Sequence, residues 1–180
     1  MEEDNHRREF ENTDLYKKAR EILKLTDHVA ELCKHSESEE AEILVTYADQ
    51  LRGDAMMIPP KIAGAYGADL YDIQMENAAI IRKAARDMLA ATSGLKMMGL
   101  KDHDYLQLLR DALEEFRILF AEWVKTFDQW NYIIDRWGLF NPPGVNYDDP
   151  DPDGDIPFDP NDFIWIKKTA AVCLTEAVFK

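Results

Sequence analysis

Met56-Met57-Ile58-Pro59-Pro60-Lys61-Ile62-Ala63-Gly64-Ala65-Tyr66-Gly67 interrupts an otherwise helical pattern. Each proline removes a backbone donor and crowds the carbonyl four residues back, so a helix reaching Pro59-Pro60 must kink or break. The small run Ala63-Gly64-Ala65 then permits close backbone approach. Upstream, Leu44, Tyr47, Ala48, Leu51, Ala55 and Ile58 fall at helical spacing. They define a second helix that continues past the prolines through Ile62 and Ala63 and ends around residues 64–67.

The pattern extends in both directions. Leu15, Ala19, Ile22, Thr26, Val29 and Cys33 alternate three- and four-residue steps, which predicts a first helix capped by Thr13 or Asp14. The polar run His35-Ser36-Glu37-Ser38-Glu39-Glu40 supplies the turn between them. A third helix is expected over residues 70–98, with Leu70, Ile73, Asn77, Ile81, Ala84, Met88 and Leu95 inward and Gly99 as its stop. Asn77 reads as a register-fixing or carbonyl-capping polar group on that stripe.

The fourth helix is expected over residues 102–137. Its stripe is Tyr105, Leu109, Ala112, Phe116, Leu119, Trp123, Phe127, Trp130, Ile134 and Trp137, with Leu106, Leu113, Phe120 and Val124 as a second row. Such a helix would run roughly 54 Å and overhang the first two. Its far end would need cover from the tail or from another subunit. Trp123, Trp130, Ile134, Trp137 and Phe140 are therefore the candidate interface residues.

The expected fold is all-α: four long antiparallel helices, the second kinked, with a C-terminal extension ending in a short helix. Residues 1–12 read as a flexible N-terminus and 13–140 as the bundle. Residues 141–180 read as an acidic, proline-rich linker and a terminal helix over 163–179. At 180 residues and 46% hydrophobic, the chain suits a domain with a sizeable core.

The formal net charge of −14 opposes a general grip on phosphate backbones. The basic groups Lys17, Lys18, Arg20, Lys24 and Arg82, Lys83, Arg86 read as solvated helix faces. Cys33 and Cys173 sit in apolar helical patterns and read as small buried hydrophobes rather than a disulfide framework. The polar start, Met1 to Arg8, lacks the apolar core of a signal peptide, and no apolar run is long enough to span a bilayer. A soluble, cytoplasmic protein without a membrane association is expected.

Chemistry-bearing patterns are few. Asp149, Asp151 and Asp153 occupy alternate positions, followed by Gly154, Asp155 and Ile156, as in a calcium loop. The twelfth position is Pro160, where a bidentate Glu belongs. The run is either a calcium site at Asp149, Asp151, Asp153 and Asp155 or an acidic solvated linker. His6, His28, His35 and His103 show neither di-iron nor zinc spacing. No acid–base pair or nucleophile constellation appears, so no enzyme, catalytic residue or resident cofactor is expected.

The order of these helices, with Ala48-Asp49-Gln50-Leu51-Arg52, then Ile58-Pro59-Pro60-Lys61-Ile62-Ala63 and Gly67, resembles the four helix bundle protein family. That family includes proteins encoded in 23S rRNA intervening sequences and the accessory protein of diversity-generating retroelements. The resemblance covers roughly residues 13–130. It implies an up-down-up-down bundle, assembly into a pentameric ring, and association of some members with nucleic acid or a reverse transcriptase. This chain has Gly64-Ala65 and Ala68-Asp69 where the family carries an acidic residue with Gly and then a basic residue. Two functions are consistent with these observations: a non-enzymatic assembly or adaptor protein that homo-oligomerises, and an accessory factor associated with nucleic acid or a reverse transcriptase, which the net charge disfavours.

Overall fold

A computed structural model describes residues 9–37 and 39–152. The chain divides into two units between Tyr147 and Asp148. The described residues of the second unit, 148–152, form no helix or strand. The described residues of the first unit form four α-helices: α1 (Asp14–Lys34), α2 (Ala41–Gly67), α3 (Tyr71–Met97) and α4 (His103–Val124). A short 3-10 turn, Glu9–Asn12, precedes them. No strand occurs among the described residues, and none of the helices is long and apolar enough to cross a membrane.

Thr13 caps α1: its side-chain oxygen accepts from the Tyr16 amide at 3.3 Å, satisfying one of the orphan donors of the first turn. The buried face of α1 is the expected stripe, Leu15, Ala19, Ile22, Thr26, Val29 and Cys33, widened by Ala30. Residues 9–12 are the described part of the stretch 1–12 expected to be flexible. They form the 3-10 turn, and the Phe10 ring lies 5.0 Å from Tyr16, edge to face.

In α2 the helix is unbroken through Pro59 and Pro60. Ile58, Pro59 and Ile62 are all buried, and this apolar burial supports the turn that the missing donors weaken. The small run has the expected consequence. A Cβ on Gly64 would lie 3.3 Å from the Asn77 side-chain oxygen on α3, so α2 and α3 approach closely there. Asn77 itself donates to the Ile73 carbonyl of its own helix at 2.9 Å.

Along α3 the buried residues are Tyr71, Ala78, Ile81, Ala84, Met88, Ala91, Thr92 and Leu95. The expected phase holds from Ile81 onward but not in the first two turns. Ile73 is exposed and Leu70 and Asn77 are half-buried, while Tyr71 and Ala78 face inward. Their cover is the segment after α4, which packs Phe127 against both. Gly99 ends α3 as expected: its φ of 84° is the left-handed conformation that glycine adopts without strain. The Leu100 amide then donates back to the Leu95 carbonyl at 3.1 Å, and Leu100 is buried.

The largest departure concerns α4. It ends at Val124, not at residue 137. The Thr126 amide and hydroxyl both donate to the Trp123 carbonyl, at 2.9 and 2.7 Å, and the Phe127 amide donates to Val124 at 3.3 Å. These tighter bonds close the last turn. The Asp128 carboxylate then accepts from the Trp130 amide at 2.9 Å, which turns the chain away from the helix axis. The expected overhang of Trp130, Ile134 and Trp137 on a helix is therefore corrected: all three lie on a folded loop.

Each helix packs on its neighbour in the chain, and α1 also packs on α4. The four surround one apolar core whose largest members include Ile22, Leu44, Leu51, Ile58, Ile81, Met88, Leu109 and Phe116. Two polar bridges fasten α1. Lys18 reaches Glu21 at 2.7 Å and, across to α4, Glu115 at 2.6 Å. Those partners, Glu115 foremost, hold the ammonium above its ordinary pKa. Arg52 on α2 donates to Asp27 at 3.0 Å.

Candidate interaction surface

Residues 125–147 return from the end of α4 to the start of α3. The α3 start lacks a side-chain cap, and the returning chain supplies partners instead. The Tyr71 amide donates to the Asn131 carbonyl at 2.8 Å, the Asn131 side-chain amide donates to the Asp69 carbonyl at 2.8 Å, and the Ile133 amide donates to Asp72 at 3.3 Å. Phe127 and Ile134 are the buried apolar anchors of the segment.

Asp135 organises the chain from Arg136 to Asn141. Its carboxylate accepts from the backbone amides of Trp137 and Leu139, each at 2.8 Å, and of Phe140 at 2.9 Å. These donors, Phe140 and Trp137 foremost, hold its carboxyl below the ordinary value. Asn141 closes the loop reciprocally: it accepts from the Asp135 amide at 2.7 Å and donates to the Asp135 carbonyl at 2.9 Å. Gly138, at φ 72°, makes the bend, and Arg136 donates to the Tyr147 carbonyl at 2.8 Å.

This well-bonded loop displays large apolar side chains. Trp130 and Trp137 are each 90% exposed and Leu139 is 75% exposed; Ile133 and Tyr147 are also exposed. Trp137, Leu139, the half-buried Phe140 and the buried Ile134 line a groove of about 530 Å³. Asp72, Glu76, Asp135 and Arg136 complete its lining.

Of the five candidate interface residues, the fold thus gathers Ile134, Trp137 and Phe140 at one groove. Trp130 stands on the same loop but does not line it. Trp123 turns inward: it is half-buried, stacked 5.8 Å from Tyr66 and edge-on to Phe127 at 4.8 Å. Arg136 and the acidic residues of α3 are members of the surface that sequence periodicity missed. A signal for the loop was present as Asp128-x-Trp130 and Asp135-x-Trp137. In both, an aspartate accepts from the amide two residues on.

Among the described residues the remaining candidates gather no metal site. Asp153 and Asp155 of the acidic run, and the terminal helix expected over 163–179 with Cys173, lie outside the described residues. Among the described residues, no three His, Cys, Asp or Glu side chains come together to hold a metal ion. His28 lies parallel to Tyr105 at 6.4 Å, with its Nδ1 at 2.8 Å from the Lys24 carbonyl. Cys33 is fully buried, and burial pushes its thiol up to about 11. Comparison with family models, curated proteins and solved structures finds no match.

Proposed function

We propose that this chain is a non-enzymatic assembly or adaptor protein that acts through protein contacts at the aromatic surface of residues 125–147. The observation that carries this reading is the pair Trp130 and Trp137, each 90% exposed on a loop held by its own hydrogen bonds. A floppy loop could fold its indoles away, whereas a bonded loop presents them. Aromatic anchors of this kind dominate protein interfaces. The occupant we propose is a second copy of the chain. The groove carries both signs of charge, with Asp72, Glu76 and Asp135 beside Arg136 around an apolar centre, and in a closed ring it meets a different face of the next copy.

The finer architecture belongs to the same proposal. The four helices run up-down-up-down, α2 kinks at Pro59-Pro60, and the chain ends in a short helix, as the resemblance to the four helix bundle protein family implies. Four helices packed in chain order with α1 against α4 support that arrangement. A closed ring, pentameric in that family, is the proposed assembly, in the cytoplasm and without a resident cofactor. The run from Asp149 is proposed to be an acidic linker, because Pro160 replaces the bidentate ligand of a calcium loop.

The test is light scattering on the wild-type chain and on Trp130→Ser/Trp137→Ser. The wild type is expected to be an oligomer, and the double variant is expected to fall to monomer at the same concentration with its helical content unchanged. A monomeric wild type would refute self-association; an oligomer that survives the double change would remove this surface from it. The accessory-factor reading predicts instead a nucleic-acid complex that weakens steeply with salt.

A further inference from the structure

Lys18, Lys34, Arg52, Lys83, Arg117 and Lys125 each pair with a carboxylate. Arg110 does not, in a chain with 35 acidic residues against 21 basic ones. It is half-buried on α4, and its Nη1 donates to three oxygens of α3: the Thr92 hydroxyl at 2.8 Å, the Ser93 hydroxyl at 3.2 Å and the Leu89 carbonyl at 3.2 Å. Thr92 is itself buried and donates to the Leu89 carbonyl at 2.8 Å. The guanidinium is thereby fixed along one edge. Its Nε and Nη2 find no acceptor among the described residues.

These donors border a pocket of about 530 Å³ between the last turns of α3 and the first half of α4. Its lining is Thr92, Ser93, Lys96, Met97, His103, Leu106, Gln107 and Arg110. No carboxylate is in it, and neither Lys96 nor His103 pairs with one among the described residues. The nearest acids look elsewhere: Asp111 accepts from the Gln107 side-chain amide at 2.7 Å, and Asp102 and Asp104 flank His103 without lining the pocket. Arg110 and Lys96 therefore share a concave space whose lining holds no carboxylate. An oriented arginine fork with open N–H groups suits a bidentate oxyanion, and a second cation suits a dianion better than a monoanion. The volume exceeds a bare phosphate, and Leu106 and Met97 give the space an apolar wall.

We infer that this pocket binds a small phosphate monoester. Arg110 Nε and Nη2 and the Lys96 ammonium hold the phosphate, Thr92 and Ser93 position Arg110, and the organic part lies against Met97 and Leu106. The site is independent of the aromatic surface, so it stands or falls without regard to self-association.

The experiment is calorimetric titration of the full chain with phenyl phosphate and with inorganic phosphate at fixed ionic strength. Phenyl phosphate is expected to bind one to one, and more tightly than inorganic phosphate. Lys96→Ala and Arg110→Lys are each expected to weaken it roughly tenfold, the loss of one charge-assisted contact. Lys96 is exposed, so its removal leaves the fold intact. Arg82→Ala, on α3 but outside the pocket, is expected to change nothing. No saturation by either probe at millimolar concentration would overturn the inference, as would equal losses in all three variants or none in the first two. Inorganic phosphate binding as tightly as phenyl phosphate would overturn the role given to Met97 and Leu106.

Discussion

Phe116→Ala is expected to lower the unfolding free energy by about 3–5 kcal/mol, the usual range for truncating a buried aromatic. Phe116 is 1% exposed and belongs to the main core, with the Phe120 ring centred 6.2 Å away. Its removal leaves a cavity that rigid helices fill only in part. Against a total of about 5–15 kcal/mol for a domain, the loss brings the fold near its limit. Urea unfolding followed by circular dichroism would read it as a lowered midpoint with an unchanged slope. Phe120→Ala, at a half-buried site one turn on, should cost clearly less. A Phe116→Ala loss under about 1 kcal/mol, which is less than a buried methylene pair is worth, would show that α4 is not held as described.

Asp135→Ala is expected to release the loop from Trp137 to Phe140 while leaving the bundle folded. One carboxylate serves three amides. Hydrogen exchange at Trp137, Leu139 and Phe140 should accelerate sharply, with α1 and α2 unaffected. Asp135→Asn, which keeps one acceptor oxygen, should fall between. The same logic gives a pH dependence. The folded pKa lies below the ordinary value of 3.8, so the carboxylate's contribution is complete above that value and disappears as pH falls through the folded one. Acidification below pH 4 should therefore loosen this loop in the wild type and make no difference to it in Asp135→Ala. Unchanged exchange in the variant at neutral pH would mean that the Asn131, Asn141 and Tyr147 contacts suffice to hold the loop.

The helices were legible wherever a helix meets the core along its own length. In α1 the apolar steps, the Thr13 cap and the buried face agree residue by residue, because nothing outside the bundle competes for that face. Gly99 was readable because only a left-handed residue suits that helix end. The α3 start was out of phase because its cover comes from residues 125–134, a partner that the periodicity of α3 itself does not encode. The α4 end was overrun because Phe127, Trp130, Ile134 and Trp137 keep helical spacing beyond Val124. Thr126, Asp128, Asn131 and Asp135 interleave with them, and short polar side chains that bond the nearby backbone outcompete the helix. The aromatic surface was legible in residue type but not in cause: Trp130 and Trp137 are exposed because a loop holds them out, not because a helix outruns its neighbours. The Arg110 pocket left no mark in sequence, since its members come from two helices and the spacing of neither is distinctive.

Cys33 turns the bundle into its own stopwatch. Alkylation requires a thiolate, and this thiol is both enclosed and raised to about 11, so near neutral pH it is all but inert while α1 stays docked. Each labelling event at Cys33 then records one departure of that helix from the core. The rate of iodoacetamide incorporation into the Cys33 peptide, divided by the rate in the unfolded chain, gives the fraction of time the helix spends away. Every tenfold slowing corresponds to about 1.4 kcal/mol of opening free energy. A native sulfur atom can therefore time the breathing of α1 with no dye, tag or engineered probe.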